Sequence, residues 1–234
     1  MNKFIFDVDG TLTPSRGVMD FDFRAWFNTF CLVNDVYLVT GSDKPKTVEQ
    51  IGKTYDLCKR VYNCSGNDVW ERDVNVRRNH WTLPEDAHEW LSVELTSSAF
   101  PLRTGNHFEH RTGMVNYSIV GRNASKEQRA EYVKWDTTYD ERDLIAHNFN
   151  RLFPDLEARP GGETGIDIAP KGLDKSQILQ DFVDTDRIIF FGDRMDEDGN
   201  DYPLAQANKK GVNYHVTGWQ HTWEILDENY ANRP

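Results

Sequence analysis

Apolar positions in this chain follow two rhythms. Short unbroken runs, Phe4-Ile5-Phe6, Val36-Tyr37-Leu38-Val39, Val61-Tyr62 and Ile188-Ile189-Phe190-Phe191, alternate with stretches at helical spacing, such as Phe23, Phe27 and Phe30, or Val48, Ile51 and Tyr55. A run without polar alternation predicts a strand buried on both faces. Such strands alternating with helices predict a parallel α/β sheet. Over 74–170 the rhythm changes. This stretch is polar and Trp-containing, with Pro84 and Pro101 as punctuation. It predicts a strand over Gly113–Val120 and a helix opened by the Ser125-x-x-Gln128 capping box. A second helix over Asp140–Phe153, stopped by Pro154, and a strand over Thr164–Ile168 follow. Beyond Lys171 the first rhythm resumes, with a helix from Asp174 and strands over Arg187–Phe191 and Val212–Val216. The chain reads as a discontinuous α/β core, residues 1–73 and 171–234, interrupted by an inserted α/β domain at 74–170.

Composition narrows the classes of function. The 234 residues carry 27 Lys and Arg against 38 Asp and Glu, a net charge of −11. Coating a nucleic acid needs a clustered basic surface, so no nucleic-acid partner is expected. A 38% hydrophobic and 12% aromatic content excludes a disordered chain. The apolar runs are too short for a membrane span, and no secretory signal is visible, so a cytoplasmic protein without a membrane partner is expected. Cys31, Cys58 and Cys64 are odd in number and lack a C-x-x-C spacing, which predicts buried thiols rather than a disulfide framework or a thiolate zinc site.

In a parallel sheet, ligands bind beyond the carboxyl ends of the strands. Polar groups stand at four such places: Asp7-Val8-Asp9-Gly10-Thr11, Thr40-Gly41-Ser42, Lys175 at a loop-to-helix start, and Gly192-Asp193 followed by Asp196, Glu197, Asp198 and Asp201. Asp7 ends a strand, and the turn at Gly10 can aim both carboxylates at one point. A carboxylate can attack phosphorus, and a second one two residues on can give and take the proton. A phosphate beside a carboxylate is repulsive; a unit pair at about 4 Å costs about 4 kcal/mol at an effective dielectric of about 20. A hard dication and a lysine would offset that. Asp7, the Asp9 carbonyl and Asp193 could hold Mg2+, and Lys175 would supply fixed positive charge. Thr40 or Ser42 would donate a hydroxyl to the phosphoryl oxygens; the sequence leaves that choice open.

These motifs, in this order, resemble the haloacid dehalogenase superfamily of phosphotransferases. The resemblance implies a Rossmann-like core with an inserted α/β cap, Asp7 as nucleophile, Asp9 as acid/base, Lys175 as the catalytic lysine and Mg2+ as cofactor. The insert narrows it: His110-Arg111-Thr112-Gly113-Met114-Val115-Asn116, continued through Gly121-Arg122, Ser125, Arg129, Gly161-Gly162 and Gly172-Leu173-Asp174-Lys175, resembles the cap of the eukaryotic-type phosphomannomutases. Pro14-Ser15-Arg16 is similar to that family too.

By this resemblance Arg16, Arg111, Arg122 and Arg129 face a small phosphorylated sugar, with Asn116 and Asp167 contacting the sugar or its phosphate. Arginines give always-charged, bidentate phosphate recognition. The implied reaction is a hexose-phosphate mutation between mannose 1-phosphate and mannose 6-phosphate, with a hexose bisphosphate as activator and a homodimer formed through the cap. The alternatives are a sugar-phosphate phosphatase of the same fold and a non-catalytic sugar-phosphate-binding protein. The chain departs from the family in three places. Asn63-Cys64-Ser65-Gly66-Asn67 replaces a Pro-Glu-Asn-Gly-like segment. Gly165 stands where a serine is usual, and Asp193–Asp201 is more acidic than usual.

Overall fold

A computed structural model describes residues 1–15, 17–197 and 199–231. The chain divides into two compact units, Met1–Asn79 with Leu173–Pro234, and His80–Gly172.

The first unit begins with β1 (Asn2–Phe6), α1 (Phe21–Val33), β2 (Asp35–Val39), α2 (Lys44–Ile51), α3 (Thr54–Leu57), β3 (Arg60–Asn63), β4 (Asp68–Glu71) and β5 (Val74–Arg78). The second unit holds α4 (Glu85–Ser97), β6 (Phe108–Arg111), β7 (Met114–Tyr117), α5 (Lys126–Tyr139), α6 (Glu141–Leu152), β8 (Leu156–Gly161) and β9 (Gly165–Pro170). The first unit is completed by β10 (Arg187–Gly192), α7 (Tyr202–Ala207), β11 (Val212–His215) and α8 (Trp219–Asn229).

The unbroken apolar runs become the middle of a seven-stranded sheet ordered β11-β10-β1-β2-β3-β4-β5. From β11 to β3 neighbours are parallel; β4 and β5 add antiparallel at one edge. Each face has its own core. Phe4 and Phe6 point to the side of α1 and α8, where Phe23, Phe27, Phe30 and Leu226 are buried. Ile5, Phe190, Ile178 and Leu204 form the core of the other side. Burial on both faces is why these strands need no polar alternation.

Three expectations are corrected in this unit. The insert begins at His80 rather than 74, because Val74–Arg78 still pairs with β4 in the core sheet, and the core resumes at Leu173 rather than 171. The segment after Asp174 is a 3-10 turn over Lys175–Asp181, capped by the Asp174 side chain, not an α-helix. Of the expected apolar face Val48, Ile51 and Tyr55, Val48 is exposed; Ile51 is buried on α2 beside Thr47 and Gln50, and Tyr55 is buried on α3.

The second unit packs three helices on an antiparallel four-stranded sheet ordered β6-β7-β9-β8. Its strands alternate. Phe108, Tyr117, Ile166, Ile168 and Ala158 face a core shared with Leu91, Tyr132, Ile145 and Phe149. The intervening positions, Glu109, Arg111, Asn116, Asp167 and Arg159, are polar. The capping box at Ser125 forms as expected, with the Ser125 side chain accepting from the Gln128 amide and the Gln128 side chain accepting from the Ser125 amide. All three cysteines are buried, and none of them forms a disulfide. No helix among the described residues is long and apolar enough to cross a membrane.

Candidate active site

The first unit gathers a cluster of buried and half-buried charged residues at the carboxyl ends of the parallel strands. Asp7 follows β1, its amide still donating to the Phe191 carbonyl of β10 at 2.9 Å. Asp193 follows β10. The turn between Val8 and Thr13 closes on itself: the Gly10 amide donates to the Thr13 carbonyl, and the Thr13 hydroxyl to the Val8 carbonyl. Thr222 of α8 pins the turn from outside, its hydroxyl donating to the Thr11 carbonyl at 2.7 Å. Gly10 has φ +76, and a Cβ there would lie 2.2 Å from Asp193 Oδ2. Glycine is what lets the Asp193 carboxylate lie against this turn.

Lys175 enters from the 3-10 turn with its side chain fully buried. Its Nζ donates to Asp7 Oδ1 at 2.5 Å and to Asp201 Oδ1 at 2.7 Å. Asp201 is also fully buried, and its other oxygen accepts the Arg194 amide at 3.1 Å. One carboxylate oxygen from each of Asp7, Asp193 and Asp201 lies within 4.8 Å of the others. Burial pushes the Asp7 carboxyl well above its ordinary value; Lys175 opposes this, and Asp201 and Asp193 add to it. Burial, then the Asp201 charge, raises Asp193 to about 6. Burial alone would lower the Lys175 ammonium, but Asp201 and Asp7 outweigh it and hold the lysine charged. Three carboxylates face one ammonium, and every spare donor is oxygen. That set fits a hard divalent cation, which would remove the residual negative charge.

Asp9 stands half-buried in the turn between Val8 and Thr13, its Oδ1 accepting from the Gln50 side-chain amide of α2 at 2.8 Å. Thr40 is buried, its hydroxyl oxygen accepting the Ser42 amide at 3.1 Å; Ser42 is half-buried. Both sit on the loop after β2, which is bound to the loop after β3 through Cys64 N–H to Ser42 O and Ser65 N–H to Thr40 O.

In the second unit a polar row crosses the sheet in register, Glu109, Asn116, Asp167 and Arg159 on neighbouring strands. The Asn116 amide donates to Asp167 Oδ1 at 2.6 Å. Glu109 holds both Arg111, at 3.1 Å, and Arg122, at 2.5 Å. Burial alone would lift the Glu109 carboxyl; Arg111 and Arg122 hold it below its usual range. Burial lifts Asp167 above its ordinary value, opposed by Asn116, Arg111 and Arg122. Gly165 explains one departure in physical terms: a Cβ there would lie 2.4 Å from Asn116 Nδ2, so the amide occupies the space a side chain would need.

The structure thus brings Asp7, Lys175 and Asp193 together in the first unit, and Arg111, Arg122, Asn116 and Asp167 together in the second. Arg129 does not join them: its Nε and Nη2 donate to the carbonyls of Ala124 and Arg122, bracing the loop that carries Arg122. Arg16 and Asp198 lie outside the described residues. Asp201, one of the acids that follow Gly192-Asp193 in the sequence, carries no assigned role there. Sequence reasoning also missed Gln50 and Glu109, which carry no sequence signal.

Residues 23–232 match the family model described as eukaryotic phosphomannomutase. The phosphomannomutase of Spinacia oleracea is 32% identical over 241 residues, covering 98% of this chain and 96% of that protein. The phosphomannomutase of Saccharomyces cerevisiae is 32% identical over 240 residues, covering 96% and 92%. Among solved structures, an IMP-bound, N-terminally truncated IMP-nucleotidase of Plasmodium falciparum superposes with TM-score 0.65 at 13% identity, covering 97% of this chain and 67% of that one. A trehalose-6-phosphate phosphatase related protein gives TM-score 0.57 at 18% identity, covering 97% and 96%. At these identities the structural likeness is one of fold.

Proposed function

The chain belongs to the eukaryotic phosphomannomutase family, and from that premise we propose that it is a hexose-phosphate mutase interconverting mannose 1-phosphate and mannose 6-phosphate through an aspartyl-phosphate. The observation that carries the reading is Lys175, wholly buried between Asp7 and Asp201 with Asp193 beside them. An ion cluster of this kind is costly to bury for stability alone.

Asp7 attacks phosphorus, and the bond to the sugar oxygen breaks in line. Asp9 gives a proton to the departing oxygen and later takes one from the hydroxyl that receives the phosphoryl group. Gln50 orients the Asp9 carboxylate for both tasks. Lys175 fixes the Asp7 carboxylate and sets positive charge beside the transferring group. Asp7, Asp193 and the Asp9 carbonyl would hold Mg2+, which when bound neutralises phosphoryl charge. Thr40 or Ser42 donates to a phosphoryl oxygen. Arg111 and Arg122, exchanging Glu109 for a phosphate, bind the substrate with Asn116 and Asp167. Arg16 belongs to the same substrate-binding set by its place in the sequence. A trace of hexose bisphosphate starts the cycle by leaving a phosphoryl group on Asp7.

A phosphorus NMR time course with mannose 1-phosphate, Mg2+ and a trace of hexose bisphosphate tests this. The expected result is 6-phosphate without free phosphate. Stoichiometric inorganic phosphate would replace the mutase with a phosphatase. Asp7→Asn should abolish both turnover and the hydroxylamine-sensitive phosphoprotein that a rapid acid quench of the wild-type cycle traps.

A further inference from the structure

The segment Cys64–Asn67, where the chain departs from its family, has no part in the chemistry above. Its backbone is strained: Cys64 and Ser65 hold φ of +49 and +57, a region that side chains with a Cβ rarely adopt. Such strain persists only where surrounding contacts over-determine it, and Asn67 supplies them. The side chain is 1% exposed and uses all four of its hydrogen-bonding positions. Nδ2 donates to the Cys64 carbonyl at 2.8 Å and to the Leu173 carbonyl at 3.4 Å. Oδ1 accepts from Asn79 Nδ2 at 2.7 Å and from Gln177 Nε2 at 3.4 Å. The Asn67 carbonyl accepts the Asn79 amide at 2.8 Å, and Gln177 also donates to the Ser65 carbonyl at 2.9 Å.

Those partners are not scattered. Asn79 is the last residue of the first unit before the insert, and Leu173 is the first after it. Gln177 lies two positions beyond Lys175 on the same 3-10 turn. We propose that Asn67 is a positioning residue that pins both crossings of the chain to the strained loop, so that Lys175 keeps its seat between Asp7 and Asp201 whatever the inserted unit does. A side chain two residues past a crossing would otherwise follow any displacement of that crossing. A single amide bound at both crossings and at the lysine turn isolates the charge cluster from it. This inference rests on the reading of Lys175 as part of the active site, but its first test does not need turnover.

Amide hydrogen exchange of the full chain compares wild type, Asn67→Ala and Asn67→Asp; the second variant keeps the acceptor for Asn79 and loses the donor to Leu173. In both, the amides of Ser176 and Gln177 should exchange about tenfold faster, the scale of one buried hydrogen bond. The amides of β1 and β10 should hold their wild-type rates. The same variants should lose about tenfold in kcat on a small aryl phosphate with KM nearly unchanged. Unchanged exchange at Ser176 and Gln177 overturns the proposal. So does faster exchange spread evenly through the sheet, which marks general destabilisation. If wild type turns over no phosphate ester while the local exchange effect holds, the functional reading fails and the anchoring role stands.

Discussion

Lys175 shows how one residue's environment decides what it does. It is buried completely, which disfavours its charge, yet Asp201 and Asp7 keep it an ammonium. Replacing it with an apolar side chain of similar length leaves three carboxylates without a counter-charge. In chelator-containing buffer, Lys175→Met should cost about 3–5 kcal/mol at pH 8, as for breaking a buried ion pair from one side. The pH dependence follows from the direction of the Asp7 shift. Burial raises the folded-state Asp7 carboxyl and Lys175 opposes that rise, so losing Lys175 raises it further; the added penalty is absent where Asp7 is protonated in both proteins, grows as pH rises past the wild-type folded value, and is complete above the variant's. Urea denaturation at pH 5 and pH 8 should show the gap to wild type narrowing at the lower pH; a constant gap contradicts the assignment. At this scale Asp7, Asp193 and Lys175 were legible in the sequence because each sits at a strand end or capped turn beside a recognisable motif. Gln50 and Glu109 were not. Gln50 lies on the buried face of a helix and acquires its task only because α2 packs beside the Asp9 turn. Glu109 acquires its task from two arginines brought to it by a strand and a loop.

At the scale of elements, the four-stranded sheet divides its labour by strand alternation. One face is core; the other carries the Glu109–Asn116–Asp167 row with Arg111 and Arg122 against it. Removing both guanidiniums, Arg111→Ala with Arg122→Ala, should reduce kcat/KM on hexose phosphate by about a hundredfold or more, two charge-assisted contacts at roughly 1.5–3 kcal/mol each. Turnover of a small aryl phosphate should change by less than about threefold; equal losses on both substrates would remove the second unit from substrate recognition. Gly165→Ala acts on the same row by crowding: its Cβ would displace the Asn116 amide from Asp167. The sequence disclosed the strands with continuous apolar runs and the capped helix at Ser125, because each has a strong local signal. It concealed α4, which buries only Ala87 and Leu91, and α8, whose apolar face rests on Trp219 and Trp223 packed against Phe23. It also concealed β8, where Pro160 in an edge strand interrupts the pattern, and the β4–β5 hairpin, where Val74 and Val76 are exposed.

For the whole molecule, the net charge of −11 is an average over separate populations. The first unit buries acids around one lysine; the second sets arginines along a polar sheet face. The chain order of the two units has a consequence for folding. The second unit is continuous in sequence and owns a complete sheet and core, from Leu91 through Tyr132 and Phe149 to Ile168. The first is not: β1, in the middle of its sheet, pairs on one side with β2 and on the other with β10, which lies beyond the insert. Residues 1–79 alone therefore lack β10 and β11, and one whole flank of β1 would stand open with Phe4 and Phe6 missing Phe191 from their core. The fragment 80–172 should fold by itself, giving a dispersed amide NMR spectrum and a cooperative thermal transition. The fragment 1–79 should show neither. Should 1–79 fold alone while 80–172 remains unfolded, the inserted unit would be a dependant of the core, and the division of the chain into two separately packed bodies would not hold.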